Sequence, residues 1–173
     1  ILINTMEWHW PTDEQVLEAL PGYRPIMEGD AKQIKAAAKL LLSSERPVLY
    51  LGGGVLKARA ADAVMELAEL LQAPVVTTLM ARGAFPDNHP LCYGMPGMHG
   101  NATAITAMQK ADLLCALGAR FDDRVTGKVA GFAPEAKIIH VDIDPAEQGK
   151  VRKPDVPLTG DCRIIVEGCL LYT

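Results

Sequence analysis

Helical apolar spacing alternates along this chain with short runs that are apolar at nearly every position. After Asp30, the residues Ile34, Ala37, Ala38, Leu41 and Leu42 share one face of a predicted helix that ends before Pro47. Residues 59–72 repeat the pattern with Val64, Leu67, Ala68 and Leu71 on one face, and 101–110 is also helical. The apolar runs predict strands at 48–51, 74–77, 113–117, 137–143 and 156–158. Residues 83–100 are rich in Pro and Gly and read as irregular. A charged loop runs on from 118 to 131, a short helix is predicted over 145–150, and Asp161 is placed to cap a C-terminal helix. Residues 1–28 carry Trp8, Trp10, Pro11, Pro21, Gly22 and Pro25 without a lasting period, so they read as a connector, with one domain over 29–173.

Strands apolar on both faces and separated by helices require a parallel sheet covered on both sides. The expected fold is α/β: a doubly wound, Rossmann-like parallel sheet of five or six strands with helices on both faces. In such a sheet every strand-to-helix loop opens on one edge, and ligands bind along it.

Composition narrows the classes. The chain of 173 residues suffices for one domain with a sizeable core, and its start at Ile1 suggests a piece of a longer protein. A net charge of −4 with scattered basic residues argues against a nucleic-acid surface. No apolar run approaches the roughly 18 residues of a membrane span. Cys92, Cys115, Cys162 and Cys169 form no CxxC pair and have no His nearby in sequence, which points to free thiols, a reducing compartment and no metal site.

The residues with chemical potential gather in the loops after the strands. Gly52-Gly53-Gly54 suits close approach of a ligand and an anion at a helix start, and equally a tight strand-to-helix turn. Thr78, Leu79 and Met80 leave the second strand. Gly97, Met98 and His99 lead into the helix at 101; His99 reads first as a hydrogen-bonded loop residue rather than a base. Gly118-Ala119-Arg120-Phe121-Asp122-Asp123-Arg124-Val125-Thr126-Gly127 sets two arginines and two aspartates directly after a buried strand. A solvated loop with local ion pairs would look similar, but arginine forks suit a pyrophosphate and carboxylates suit ribose or ribityl hydroxyls. Asp142 and Asp144 end the next strand. Asp144, before Pro145, fits a helix cap, which leaves Asp142 as the ribose candidate. Asp161 is a cap that also lies toward the adenine end.

These strings resemble a known family. Arg120-Phe121-Asp122-Asp123-Arg124-Val125-Thr126-Gly127, Phe132-Ala133-Pro134, Lys137-Ile138-Ile139-His140 and Asp142-Ile143-Asp144-Pro145 resemble the central domain of the acetolactate synthase (acetohydroxyacid synthase) large catalytic subunit. Leu20-Pro21-Gly22-Tyr23-Arg24-Pro25, Thr77-Thr78-Leu79-Met80 and Gly97-Met98-His99-Gly100 match it in the same order. Pro96 and Ala81-Arg82 depart from its commoner residues, and the stretch past Val166 follows it poorly.

The resemblance implies a cytoplasmic transferase that uses thiamine diphosphate and magnesium to condense pyruvate with pyruvate or 2-oxobutyrate in branched-chain amino acid synthesis. It implies FAD in this domain, touching Gly52, Gly53, Gly54, Thr78, Leu79, Met80, Gly97, Met98, His99, Gly118, Ala119, Arg120, Asp122, Arg124, Val125, Asp142, Ile143, Asp161 and Cys162. Implied partners are the flanking thiamine-binding domains, further copies of the subunit and a small regulatory subunit. No catalytic or metal-binding residue is expected here. Gly29-Asp30 and Gly160-Asp161 both lack the second glycine of a Gly-Asp-Gly diphosphate-metal motif, so this stretch alone is expected to be inactive. Three alternatives stay open at this stage: the middle domain of glyoxylate carboligase or pyruvate oxidase, a nucleotide-binding module or NAD-dependent oxidoreductase without GxGxxG, and a pure subunit-contact domain.

Overall fold

A computed structural model describes residues 9–19, 22 and 25–173. Trp8 and, apart from Gly22 and Pro25, the Leu20-to-Pro25 string lie outside the described residues. The described part of the predicted connector holds a helix, α1 (Asp13–Ala19). The elements that follow are α2 (Ala31–Ser43), β1 (Pro47–Leu51), α3 (Gly53–Lys57), α4 (Ala61–Leu71), β2 (Val75–Thr77), β3 (Cys92–Gly94), α5 (Ala102–Lys110), β4 (Leu113–Leu117), α6 (Asp123–Thr126), β5 (Lys137–Asp142), β6 (Val156–Thr159) and α7 (Cys162–Leu170). Tight 3-10 turns stand at Leu79–Ala81, Val129–Gly131 and Pro145–Glu147.

The six strands form one parallel sheet in the order β3-β2-β1-β4-β5-β6. This is the doubly wound order of dinucleotide-binding sheets, and its direction reverses between β1 and β4. Alternation along each strand divides the core. Leu49, Leu51, Leu113, Cys115, Ile139 and Val141 pack with α2, α4 and α7 on one face. Val48, Tyr50, Leu114, Ala116 and Ile138 pack with α5, Phe121 and Phe132 on the other. Both layers are closed, as parallel strands require.

Local signals set the element ends. Asp30 accepts the Gln33 amide at 2.9 Å and starts α2. Asp161 takes the amides of Arg163 and Ile164 and starts α7. Below β1 and β4, at the sheet edge opposite the loops of interest, Asp112 accepts the Ser44 hydroxyl and the amides of Glu45 and Arg46. Arg152 clamps the turn before β5, donating to the carbonyls of Phe132 and Ala133 at 2.7 and 3.0 Å.

Several expectations need correction. The helix predicted over 59–72 begins at Ala61, because Arg59 takes a left-handed φ of 53° and separates it from α3. Leu42 is more than half exposed, since α2 ends one residue later and its buried stripe runs through Ile34, Ala37, Ala38 and Leu41. The segment read as irregular contains β3, and the charged loop contains α6. The strand predicted to reach 143 stops at Asp142, and the helix at 145–150 contracts to a single 3-10 turn.

Candidate functional site

Because all strands run parallel, the loops after Leu51, Thr77, Gly94, Leu117, Asp142 and Thr159 open on one edge. Every residue singled out from the sequence lies in those loops, at their strand ends or in the first turn beyond them. β3 is what carries Gly97, Met98 and His99 there.

The reversal point between β1 and β4 is built by backbone contact. The Gly52 amide donates to the Leu117 carbonyl at 2.9 Å, and the Gly54 amide to the Gly118 carbonyl at 3.1 Å. A Cβ on Gly54 would come within 2.7 Å of the Gly118 Cα, and one on Gly52 would collide with the Gly118 carbonyl. Two of the three glycines are therefore required by loop-against-loop packing. Gly53 is left facing Met80, with 3.3 Å between a built Cβ and the Met80 Cβ. The helix that follows has only five residues, so its dipole offers little to an anion. Fixed charge at this edge comes from side chains instead.

Arg120 supplies that charge. Its side chain is 66% exposed and lies 3.6 Å from the Asp122 carboxylate. Asp122 caps α6 by accepting the Arg124 amide at 3.1 Å. That amide, with the nearby arginine charges, holds its carboxyl below the usual range. Arg124 is exposed, Val125 packs on the second core layer, and the Arg124 carbonyl leaves room only for glycine at position 97.

At β5 the expected Asp144 cap is present. Asp144 caps the turn by accepting the Ala146 amide, while Asp142 spends Oδ1 on the Asp144 amide. Asp161 takes both of its amides on Oδ1. Cys162 is buried, and burial followed by the charges of Asp161 and Asp142 pushes its thiol up to about 12, so it packs as a neutral group. The Met27 carbonyl accepts the Asp161 amide at 2.8 Å, so the end of the predicted connector is tied into this edge.

Two further features bear on what the edge can hold. Leu79, Met80 and Met98 are 70%, 74% and 82% exposed, and Ile143 is also exposed. Beside Leu79 and Met80, the Thr78 hydroxyl is buried with no hydrogen-bond partner among the described residues. Fixed cations, spare carboxylate oxygens, exposed apolar side chains and an unsatisfied hydroxyl form a set that fits FAD: an anionic diphosphate with hydroxyls and flat rings. The edge is open. Two shallow hollows, one of about 310 Å³ near Phe85 and one of about 430 Å³ along α5, are lined by none of these residues. Among the described residues, no cluster of three His, Cys, Asp or Glu side chains is placed to share a metal ion, and no helix is long and apolar enough to cross a membrane.

The family model for the central domain of thiamine pyrophosphate enzymes matches residues 34–168. The chain belongs to that family. This thiamine pyrophosphate enzyme central domain is 54% identical over 166 residues to acetolactate synthase of Mycobacterium bovis, a match covering 96% of this chain and 26% of the relative. It is 56% identical over 154 residues to the acetolactate synthase large subunit of Corynebacterium glutamicum, covering 89% and 25%. Against the probable acetolactate synthase large subunit of Methanocaldococcus jannaschii, identity is 52% over 151 residues, covering 87% and 26%. The chain thus spans about a quarter of the length of the curated relatives it matches, and the resemblance seen in its loop strings is borne out.

Sequence reasoning missed Tyr50 and His140 as individuals, although both carry polar atoms beneath the Arg120 loop. Each interrupts the buried apolar run of its strand, and that interruption was the available signal.

Proposed function

We propose that this domain binds FAD along its loop edge within an acetolactate synthase large subunit. The observation that carries the reading is the exposed Arg120 at the β1–β4 reversal point, two residues beyond the packed Gly52–Gly118 crossing. Arg120 and Arg124 are the groups for the diphosphate, and the free oxygens of Asp142 and Asp161 suit hydroxyls and the adenosine end. Thr78 offers a hydroxyl, and Leu79, Met80 and Met98 offer apolar contact to a flat ring. Gly97, His99, Ala119, Val125, Ile143 and Cys162 complete the surround. FAD held here is a structural group that carries no electrons in the condensation.

In the longer protein, thiamine diphosphate and magnesium belong to the flanking domains. Those domains supply the groups that join pyruvate to a second pyruvate or to 2-oxobutyrate in branched-chain amino acid synthesis. This domain contributes no acid, base or metal ligand to that step. Further copies of the subunit and a small regulatory subunit are its partners, in a reducing cytoplasm that matches four free cysteines.

The test is titration of the full-length protein, stripped of cofactor, with FAD, FMN, NAD and ADP. FAD is expected to bind tightest, with FMN weaker because it lacks the adenosine half that Asp142 and Asp161 would meet. The strand order equally suits a nicotinamide dinucleotide, so tighter binding of NAD than FAD would contradict the proposal.

A further inference from the structure

Arg120 is exposed, yet the backbone that carries it is anchored from below. Tyr50, Ala116 and His140 are paired across β1, β4 and β5 in one row. The two rings are 0% and 1% exposed, and the alanine between them leaves a gap. The chain leaves β4, folds back and drops Phe121 into this region. The Phe121 ring centroid lies 5.2 Å from that of His140, edge to face, and 6.1 Å from that of Tyr50. Two successive carbonyls then meet the two rings. The His140 Nε2–H donates to the Ala119 carbonyl at 3.0 Å, and the Tyr50 hydroxyl donates to the Arg120 carbonyl at 3.4 Å.

The carbonyl opposite Nε2 can only accept, so Nε2 must carry the proton. Among the described residues Nδ1 is buried without a partner, so it stays bare. The ring backbone is fixed as well. Pro157 stands opposite His140 in β6 and has no N–H to give, and Gln148 Nε2 supplies a donor to the His140 carbonyl at 3.2 Å. An imidazole held this firmly, with one proton aimed at one carbonyl, does more than fill space: it sets the direction of the Ala119–Arg120 peptide.

We infer that His140 is a positioning residue for Arg120, with Tyr50 as its weaker partner. His140 holds the turn so that the guanidinium stands at the reversal point when a diphosphate arrives. The inference deepens the FAD reading and rests on it, but the held turn is also observable without any ligand.

The experiment uses the full-length protein with His140→Gln, His140→Asn and Tyr50→Phe. A glutamine amide reaches the position of Nε2, and an asparagine amide falls short of it. Two quantities are read: FAD affinity by flavin fluorescence, and amide hydrogen exchange over 119–124 without cofactor. His140→Asn should weaken FAD binding about tenfold, the equivalent of one hydrogen bond, and speed exchange over 119–124. His140→Gln should stay within about threefold of the parent in both. Tyr50→Phe should fall between parent and His140→Asn, as its longer bond implies. Glutamine and asparagine variants that are equally impaired, or both unchanged, would overturn the inference, because packing alone does not distinguish the two amides by reach. If His140→Asn does not fold, His140→Gln and Tyr50→Phe decide: a parent-like glutamine variant with faster exchange in Tyr50→Phe supports the inference, and any other pair overturns it. If the parent itself fails to take FAD, the cofactor reading fails, and the exchange pattern alone still confirms or overturns the positioning role.

Discussion

A methyl group at Gly52 would have nowhere to go. Gly52 has an ordinary φ of −110°, so alanine there meets no backbone penalty, and the whole cost is its collision with the Gly118 carbonyl. Gly52→Ala should therefore lower stability by about 1–3 kcal/mol, the usual range for forcing atoms into a packed site. Urea denaturation of the chain checks this; an unchanged midpoint would mean the two loops separate easily. The glycine triplet was legible as a close approach, but the partner was not. From the sequence a ligand and a tight turn were equally open, and the structure sets backbone against backbone. The carboxylates were easier. Asp144 and Asp161 precede turn and helix starts and cap them, while Asp142 keeps an oxygen free, as their positions implied. His140 escaped notice because its role depends on a carbonyl 21 positions away.

At the scale of elements, length and burial decided what could be read. β1 and β4 are buried throughout and almost wholly apolar, and their sequences predict them well. β3 has three residues, two of them only partly buried, amid Pro and Gly, and it joins the sheet through pairing with β2 alone. Tertiary pairing made it a strand, not local preference. α6 has four residues and depends on the Asp122 cap.

The edge opposite the candidate site depends on Asp112, which gathers the Ser44 hydroxyl and two amides at the entry to β1. Burial raises the pKa of this carboxyl, but the bonds from Ser44, Glu45 and Arg46 outweigh it and hold the value below its ordinary 3.8. A lowered folded-state pKa means the carboxylate stabilises the fold fully above that ordinary value, and the contribution fades as pH falls through the folded one. Asp112→Ala should cost about 1–3 kcal/mol at pH 7, because it removes three hydrogen bonds to a charged acceptor. The difference between variant and parent should shrink below about pH 4. Unfolding free energies measured across pH check both, and a gap that widens in acid would refute the account of Asp112.

For the molecule as a whole, the fold class was legible because alternating helical and strand periods leave few arrangements for a parallel sheet. The strand order was not, since it is set by which apolar faces meet. That order places Arg120 at the reversal point, the feature on which the cofactor proposal depends. The open edge, with exposed Leu79, Met80 and Met98, fits a domain that functions inside a longer chain, in keeping with relatives about four times its length. The most direct measurement is a crystal structure of the full-length protein grown with FAD. The account predicts the FAD diphosphate within about 3 Å of the Arg120 guanidinium, with the adenosine reaching toward Asp142 and Asp161. FAD bound away from this edge, or the edge filled by a neighbouring domain with Arg120 paired to protein, would contradict it.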